Sequence, residues 1–157
     1  MLSGKRKKEN SMEKVKFTKL RRDGKVPTAG SEKAAGYDLY AAIGEYDILI
    51  PPHGTVKIGT GLSIQPPAGY FGAIFARSGL ATKQGLRPAN CVGVCDEDYT
   101  GEYIVAVHND SNEERTICNG DRIAQLVFLP YLPVEFKEVD TLDETDRGSG
   151  GFGSTGK

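Results

Sequence analysis

At 157 residues the chain can form one domain with a core of its own and is too short for two of ordinary size. It has no run of 18 apolar residues to span a bilayer and no apolar stretch behind its basic start to make a secretory signal, and its three cysteines lack metal-like spacing, so membrane, disulfide-framework and zinc-module classes are set aside. The net charge of -1 conceals an asymmetry, because residues 1–25 carry ten Lys or Arg against three acids. Lys5-Arg6-Lys7-Lys8 reads as a disordered tail in preference to a nuclear-localisation or nucleic-acid patch, and no stable nucleic-acid partner is expected. The expected location is cytoplasmic, or nuclear if the chain is eukaryotic.

In chain order, Val15, Phe17 and Leu20 alternate with Lys16, Thr18 and Lys19, which predicts a first strand with one buried face. Residues 21–33, with Pro27 and Gly30, read as a polar loop. Short apolar segments follow at 37–43, 46–50, 55–64 and 70–76. Pro51-Pro52-His53-Gly54 and Pro66-Pro67-Ala68-Gly69 punctuate them as turns, proline presetting φ and glycine supplying conformations that other residues avoid. Residues 77–84 make the only predicted helix, of one or two turns, because Leu80, Ala81 and Lys83 are good helix formers between Gly79 and Gly85.

Residues 90–95 and 102–108, rich in Val, Ile and Tyr, flank an acidic stretch closed by Gly101 and read as a β-hairpin with a charged tip. Residues 109–114 are a polar turn, 115–118 a short strand, Asn119-Gly120 a tight turn, and 123–129 a return to the core. Val134, Phe136 and Val139 suggest one further strand before an acidic linker over 140–146. No segment keeps apolar residues at i, i+3, i+4 and i+7 over three turns. Many short strands with turns between them predict an all-β sandwich or barrel, with a jelly roll as the leading architecture and at most one short helix.

Three constellations could carry chemistry. Gly93-Val94-Cys95-Asp96-Glu97-Asp98-Tyr99-Thr100-Gly101 places three carboxylates and a phenol where strands could hold them rigidly; taken alone it reads better as a solvated acidic turn. Arg77-Ser78-Gly79 opens the predicted helix, where backbone donors, a hydroxyl and a guanidinium would suit an anion; an arginine paired with a local carboxylate and a capping serine describe it as well. Residues 147–157 hold five glycines, with Arg147 and hydroxyls that suit phosphate and one aromatic, Phe152, of the kind a lid stacks on a base; the alternative is a flexible tail. Asp121-Arg122 reads as a turn ion pair, Gln125 as a buried amide in need of partners, and His53 and His108 as structural.

Five segments, in order, resemble the five motifs of the trimeric dUTPases. They are Ala35-Gly36-Tyr37-Asp38-Leu39-Tyr40-Ala41, Arg77-Ser78-Gly79-Leu80-Ala81, the acidic stretch from Gly93 to Gly101, Gly120-Asp121-Arg122-Ile123-Ala124-Gln125-Leu126, and Arg147-Gly148-Ser149-Gly150-Gly151-Phe152-Gly153-Ser154-Thr155-Gly156. The resemblance runs from about Val15 to the last residue, and five motifs in order are far more specific than any one of them.

The resemblance implies a jelly-roll homotrimer with shared active sites that hydrolyses dUTP to dUMP and pyrophosphate with Mg2+. The expected organisation is a basic tail over 1–14, the catalytic domain over 15–139, and the linker and glycine-rich lid over 140–157. Asp96 matches the carboxylate that activates the attacking water. Arg77, Ser78, Gly79 and Gln125 match positions that bind phosphate oxygens or orient that water. Asn90 and the backbone around Gly93 would read uracil, and Tyr99 would pack on the deoxyribose. Phe152, flanked by Gly151 and Gly153, would stack on the base, while Arg147, Ser154 and Thr155 meet the distal phosphates. Asp38 is assigned to pairing with Arg77 or Arg147. No residue is expected to bind the metal directly, the ion being held by the triphosphate and waters.

Two departures stand next to key residues: many family members have isoleucine where this chain has Cys95, and proline where it has Ala76. Local repacking is expected at both. A dCTP deaminase, which shares the fold, would need a catalytic glutamate near the base, and the Asp96-Glu97-Asp98-Tyr99 tip is the dUTPase form. A nucleotide-sensing module without turnover need not keep both Asp96 and the complete tail.

Overall fold

A computed structural model describes residues 13–151, and these form twelve short strands and one helix. Five of the tail residues named above, Phe152, Gly153, Ser154, Thr155 and Gly156, and the Lys5-Arg6-Lys7-Lys8 run lie outside the described residues. The elements are β1 (Lys16–Lys19), β2 (Thr28–Ala29), β3 (Tyr37–Tyr40), β4 (Ile48–Ile50), β5 (Thr55–Gly59), β6 (Leu62–Gln65), β7 (Tyr70–Phe75), α1 (Ser78–Gln84), β8 (Leu86–Pro88), β9 (Val92–Cys95), β10 (Ile104–Asn109), β11 (Arg115–Ile117) and β12 (Arg122–Pro130).

A five-stranded antiparallel sheet in the order β2-β3-β12-β7-β9 and a three-stranded one, β5-β10-β8, carry most of the structure, with β1-β6 and β11-β4 as two-stranded ladders. Alternation builds the core: along β10, Val105, Val107 and Asn109 point inward, joining Leu39, Ile58, Leu62, Ile74, Leu126 and others in one buried cluster. Asn109 is fully buried and fully employed. Its Nδ2 donates to the carbonyls of Ile50, Pro51 and Glu113, and its Oδ1 accepts from Ser111 N–H and Oγ, which satisfies the polar turn that follows β10. β12 carries a bulge between Arg122 and Ala124 where it pairs with β3.

Several expectations change. The single run over 55–64 is two strands, divided at Gly61, whose φ of +66 and close approach to Gly24 exclude a side chain. The loop over 21–33 contributes β2, and β8 follows α1 without any signal beyond Leu86 itself. β1 forms as expected, but all four of its residues are exposed and Val15, just before it, is what packs on the core. Residues 131–139 form no strand: Leu132, Val134 and Phe136 stand 81%, 64% and 97% exposed, and no strand among the described residues pairs with them.

The predicted hairpin is also corrected. β9 pairs with β7, whereas β10 pairs with β5 and β8, so residues 96–103 cross from one sheet to another instead of turning back on a partner. Alternation and composition mark both segments as strands, but neither property encodes which strand is the neighbour.

Candidate active site

The elements divide the sequence-predicted residues between two ends of β7. At its C-terminal end the chain leaves Phe75 and enters α1 through Arg77, the N-cap, in extended conformation and without a side-chain cap. The first backbone N–H groups of the helix are therefore left for another acceptor. Arg77 is held from behind: its Nε donates to Asp38 Oδ1 at 2.8 Å, and the pair is half-buried, with side-chain exposures of 24% and 16%. Arg122 Nη1 stands 3.4 Å from the other Asp38 oxygen. Asp38 thus joins two guanidinium groups, and Arg122 meets it in place of the expected neighbour Asp121. Asp121 instead accepts the Cys118 N–H at 2.8 Å and closes the Asn119-Gly120 turn.

Gln125 lies opposite both Phe75 on β7 and Asp38 on β3. Its Nε2 donates to Ala76 O at 2.8 Å, which fixes the amide and leaves Oε1 as an acceptor, close over Gly36 where any side chain would collide with it. Ser78 and Gly79 are exposed at the helix start, and a cleft of about 210 Å³ runs between Arg77, Leu80, Thr116 and Arg122. This end of β7 is cationic and donor-rich.

The other end is acidic. Cys95 is the register partner of Gly72, so Asp96, one residue further, emerges near Phe71. Along β9, Gly93 and Cys95 face inward while Val92, Val94 and Asp96 face outward. A cleft of about 690 Å³ is bounded by Phe71, Val94, Asp96, Glu97, Asp98 and Tyr131. Glu97 is committed: its Oε2 accepts the Gly69 N–H at 2.9 Å and the Tyr131 hydroxyl at 2.7 Å, and these bonds hold its carboxyl below the usual range and raise the Tyr131 phenol. The exposed Asp96 carboxylate, by contrast, takes part in no side-chain hydrogen bond or ion pair among the described residues. Tyr99 closes the tip, its ring over Gly101 and its hydroxyl donating to Glu102 O at 2.9 Å. Asn90 belongs to the opposite end: Val92 is the register partner of Phe75 and Gly93 of Ile74, so Asn90, exposed just before β9, stands toward Arg77, with its Nδ2 3.4 Å from where a Cβ on Gly93 would stand.

Within one chain the two ends do not meet. At about 3.3 Å per residue, the run from Phe71 to Arg77 places Asp96 and Arg77 roughly 20 Å apart along β7. Arg147, assigned to phosphate, donates through Nε to Gly150 O at 2.8 Å in a local turn, and Gly151 is exposed beyond it. Sequence reasoning missed Arg122 and the anchoring of Glu97, since pairings across 84 and 28 residues leave no mark in local spacing. No helix among the described residues is long and apolar enough to cross a membrane.

Known proteins supply the rest. Deoxyuridine 5'-triphosphate nucleotidohydrolase of Desulfitobacterium hafniense (strain Y51) is 52% identical over 146 residues, covering 91% of this chain and 96% of that one. The protein of the same name from Candida albicans is 45% identical over 155 residues, covering 98% of this chain and 94% of its own. Among solved structures, a Staphylococcus bacteriophage 80alpha dUTPase with dUPNHPP superposes with a TM-score of 0.84 at 25% identity, over 93% of this chain and all of the other. The family profile described as dUTPase matches residues 22–156, and with these relatives it establishes that the chain belongs to the dUTPase family.

Proposed function

We propose that the protein hydrolyses dUTP to dUMP and pyrophosphate as a jelly-roll homotrimer whose active sites are each assembled from more than one subunit, lowering dUTP and supplying dUMP for thymidylate synthesis. The observation that carries this reading is the separation on β7. A cationic, donor-rich half around Arg77 and an acidic half around Asp96 stand at opposite ends of one strand, so the acidic half of one subunit completes the cationic half of another.

Asp96 is exposed and unengaged, as a general base must be, and takes a proton from the water that attacks the α-phosphorus. The bond from that phosphorus to the bridging oxygen breaks, and pyrophosphate leaves. Arg77, Ser78 and the N–H groups at the start of α1 bind phosphate oxygens, with Asp38 holding the guanidinium in place. Gln125, its amide nitrogen engaged by Ala76, offers Oε1 to orient the water. Asn90 and the backbone at Gly93 read uracil, and Tyr99 packs on the deoxyribose. Arg147 with Gly151, Phe152, Gly153, Ser154 and Thr155 closes over base and phosphates and excludes water.

Mg2+ would be carried by the triphosphate and its waters and not by a cage of protein carboxylates. Bound there, the ion would supply neutralisation of phosphate charge. The test is product analysis with purified protein: pyrophosphate and dUMP are expected from dUTP with Mg2+. Ammonia from dCTP, with no pyrophosphate from dUTP, would reject the assignment in favour of a deaminase.

A further inference from the structure

Tyr103 lies between the two acidic-end groups of which the mechanism asks most. Its side chain is fully buried, and its backbone is fixed from two sides: its N–H donates to Leu62 O at 2.8 Å, and its carbonyl accepts from Thr60 N–H at 3.1 Å and Thr60 Oγ1 at 2.7 Å. The ring stands 6.1 Å from that of Tyr99, tilted by 34°. The hydroxyl reaches over Gly72, so closely that a Cβ there would stand 3.0 Å from Oη and 3.5 Å from Cys95 Cβ. Oη and the Cys95 side chain therefore converge on the space that the glycine leaves open. Gly72 and Cys95 are register partners, and Asp96 follows Cys95.

Among the described residues Tyr103 Oη is the one buried side-chain polar atom with no hydrogen-bond partner of ordinary geometry. A buried phenol normally has one. The polar atom beside it is Cys95 Sγ, a weak acceptor, on a thiol whose burial pushes its pKa up to about 11 and keeps it protonated.

We propose that Tyr103 is a positioning residue for the reaction: its hydroxyl donates to Cys95 Sγ across the space left by Gly72, fixing the end of β9 that carries Asp96, while its ring braces Tyr99. The inference rests on the role given to Asp96 above.

Tyr103→Phe, Cys95→Ala and the double variant test it in the full-length protein. Tyr103→Phe removes only Oη and keeps the ring. It should lower kcat about fivefold, the effect of one net hydrogen bond transmitted to the barrier, with KM for dUTP unchanged. Cys95→Ala should do the same, and the double variant should be no slower than either. An unchanged kcat in Tyr103→Phe, effects that multiply in the double variant, or a loss of stability alone would each overturn the proposal. A readout independent of turnover is the infrared S–H stretch of Cys95, identified as the component lost in Cys95→Ala. It should move in Tyr103→Phe, and a band that stays put sinks the contact. A shifted band combined with full activity in Asp96→Asn would support the contact and overturn the Asp96 assignment instead.

Discussion

Asp38 Oδ1 accepts a 2.8 Å hydrogen bond from Arg77 Nε across 39 residues of sequence, while Arg122 Nη1 stands 3.4 Å from the second oxygen of the same carboxylate. One half-buried acid thus aims two cations at the cleft beside α1. Asp38→Asn would keep the shape and remove the charge, leaving Arg77 part-buried without compensation. The expected result is a stability loss of about 1–2 kcal/mol in denaturant unfolding, below the cost for a fully buried pair because both partners keep some contact with water. Turnover should fall by roughly tenfold or more, since a guanidinium that is free to wander no longer meets phosphate in a fixed geometry. Wild-type kinetics in this variant would show that Arg77 needs no orienting partner.

Asp96→Asn separates binding from chemistry. The amide preserves volume and cannot take the proton, so kcat should drop by about 10²–10⁴ while dUTP binding, followed by calorimetry, stays near that of the parent protein. A near-normal kcat would remove Asp96 from the role of base.

Much of the fold is legible in the chain, and the reason is physical. Turn chemistry and alternation are local, so the strands at 37–40, 70–75 and 122–130, the short helix and the Asn119-Gly120 turn all follow from neighbouring residues. The strand partners of the acidic stretch were not legible. Residues 92–95 and 104–109 alternate as any strands would, and whether they pair with each other or with β7 and β5 depends on packing between distant segments. The same limit applies to residues 131–139, whose apolar side chains suggest a strand that no strand among the described residues pairs with. In the site, motif residues were recognisable by type and order, but the three carboxylates at 96, 97 and 98 looked alike. Only the bonds from Gly69 and Tyr131 to Glu97 separate the anchoring carboxylate from the unengaged one.

Those two bonds have a pH signature. Glu97 is held below the ordinary carboxylate value, first by the Tyr131 hydroxyl and then by the Gly69 N–H. A depressed carboxylate contributes stability that is present above its unfolded-state pKa and is lost as pH falls through the depressed value. The stability difference between the parent protein and Glu97→Gln should therefore be constant near neutrality and vanish in acid, below the usual carboxylate range. The Tyr131 phenol, raised by the same carboxylate, should titrate nearer its ordinary value in the variant. A pH-independent difference, with Tyr131 titrating as before, would show that the tip is not anchored through this charge.

The tail supplies the last prediction. In the described part of it, Arg147 Nε donates to Gly150 O at 2.8 Å, and Gly148 N–H donates to Thr145 O at 3.0 Å and Thr145 Oγ1 at 3.1 Å, so the start of the segment is a self-contained turn that makes these bonds within itself. Phosphate oxygens bound by Arg147 would have to displace the Gly150 carbonyl, which ties closure of the segment to the presence of the triphosphate. Deleting residues 147–157 should lower kcat by about 10² or more, because an open site leaves water around the phosphates and removes donors aimed at developing charge. The same deletion leaves both principal sheets untouched, so light scattering should return an unchanged oligomer. Arg147→Ala alone should raise KM for dUTP more than it raises the inhibition constant of dUMP as a product inhibitor, since only the triphosphate carries the distal groups that the guanidinium meets. Full turnover in the truncated protein would mean that the acidic and cationic halves suffice without a cover.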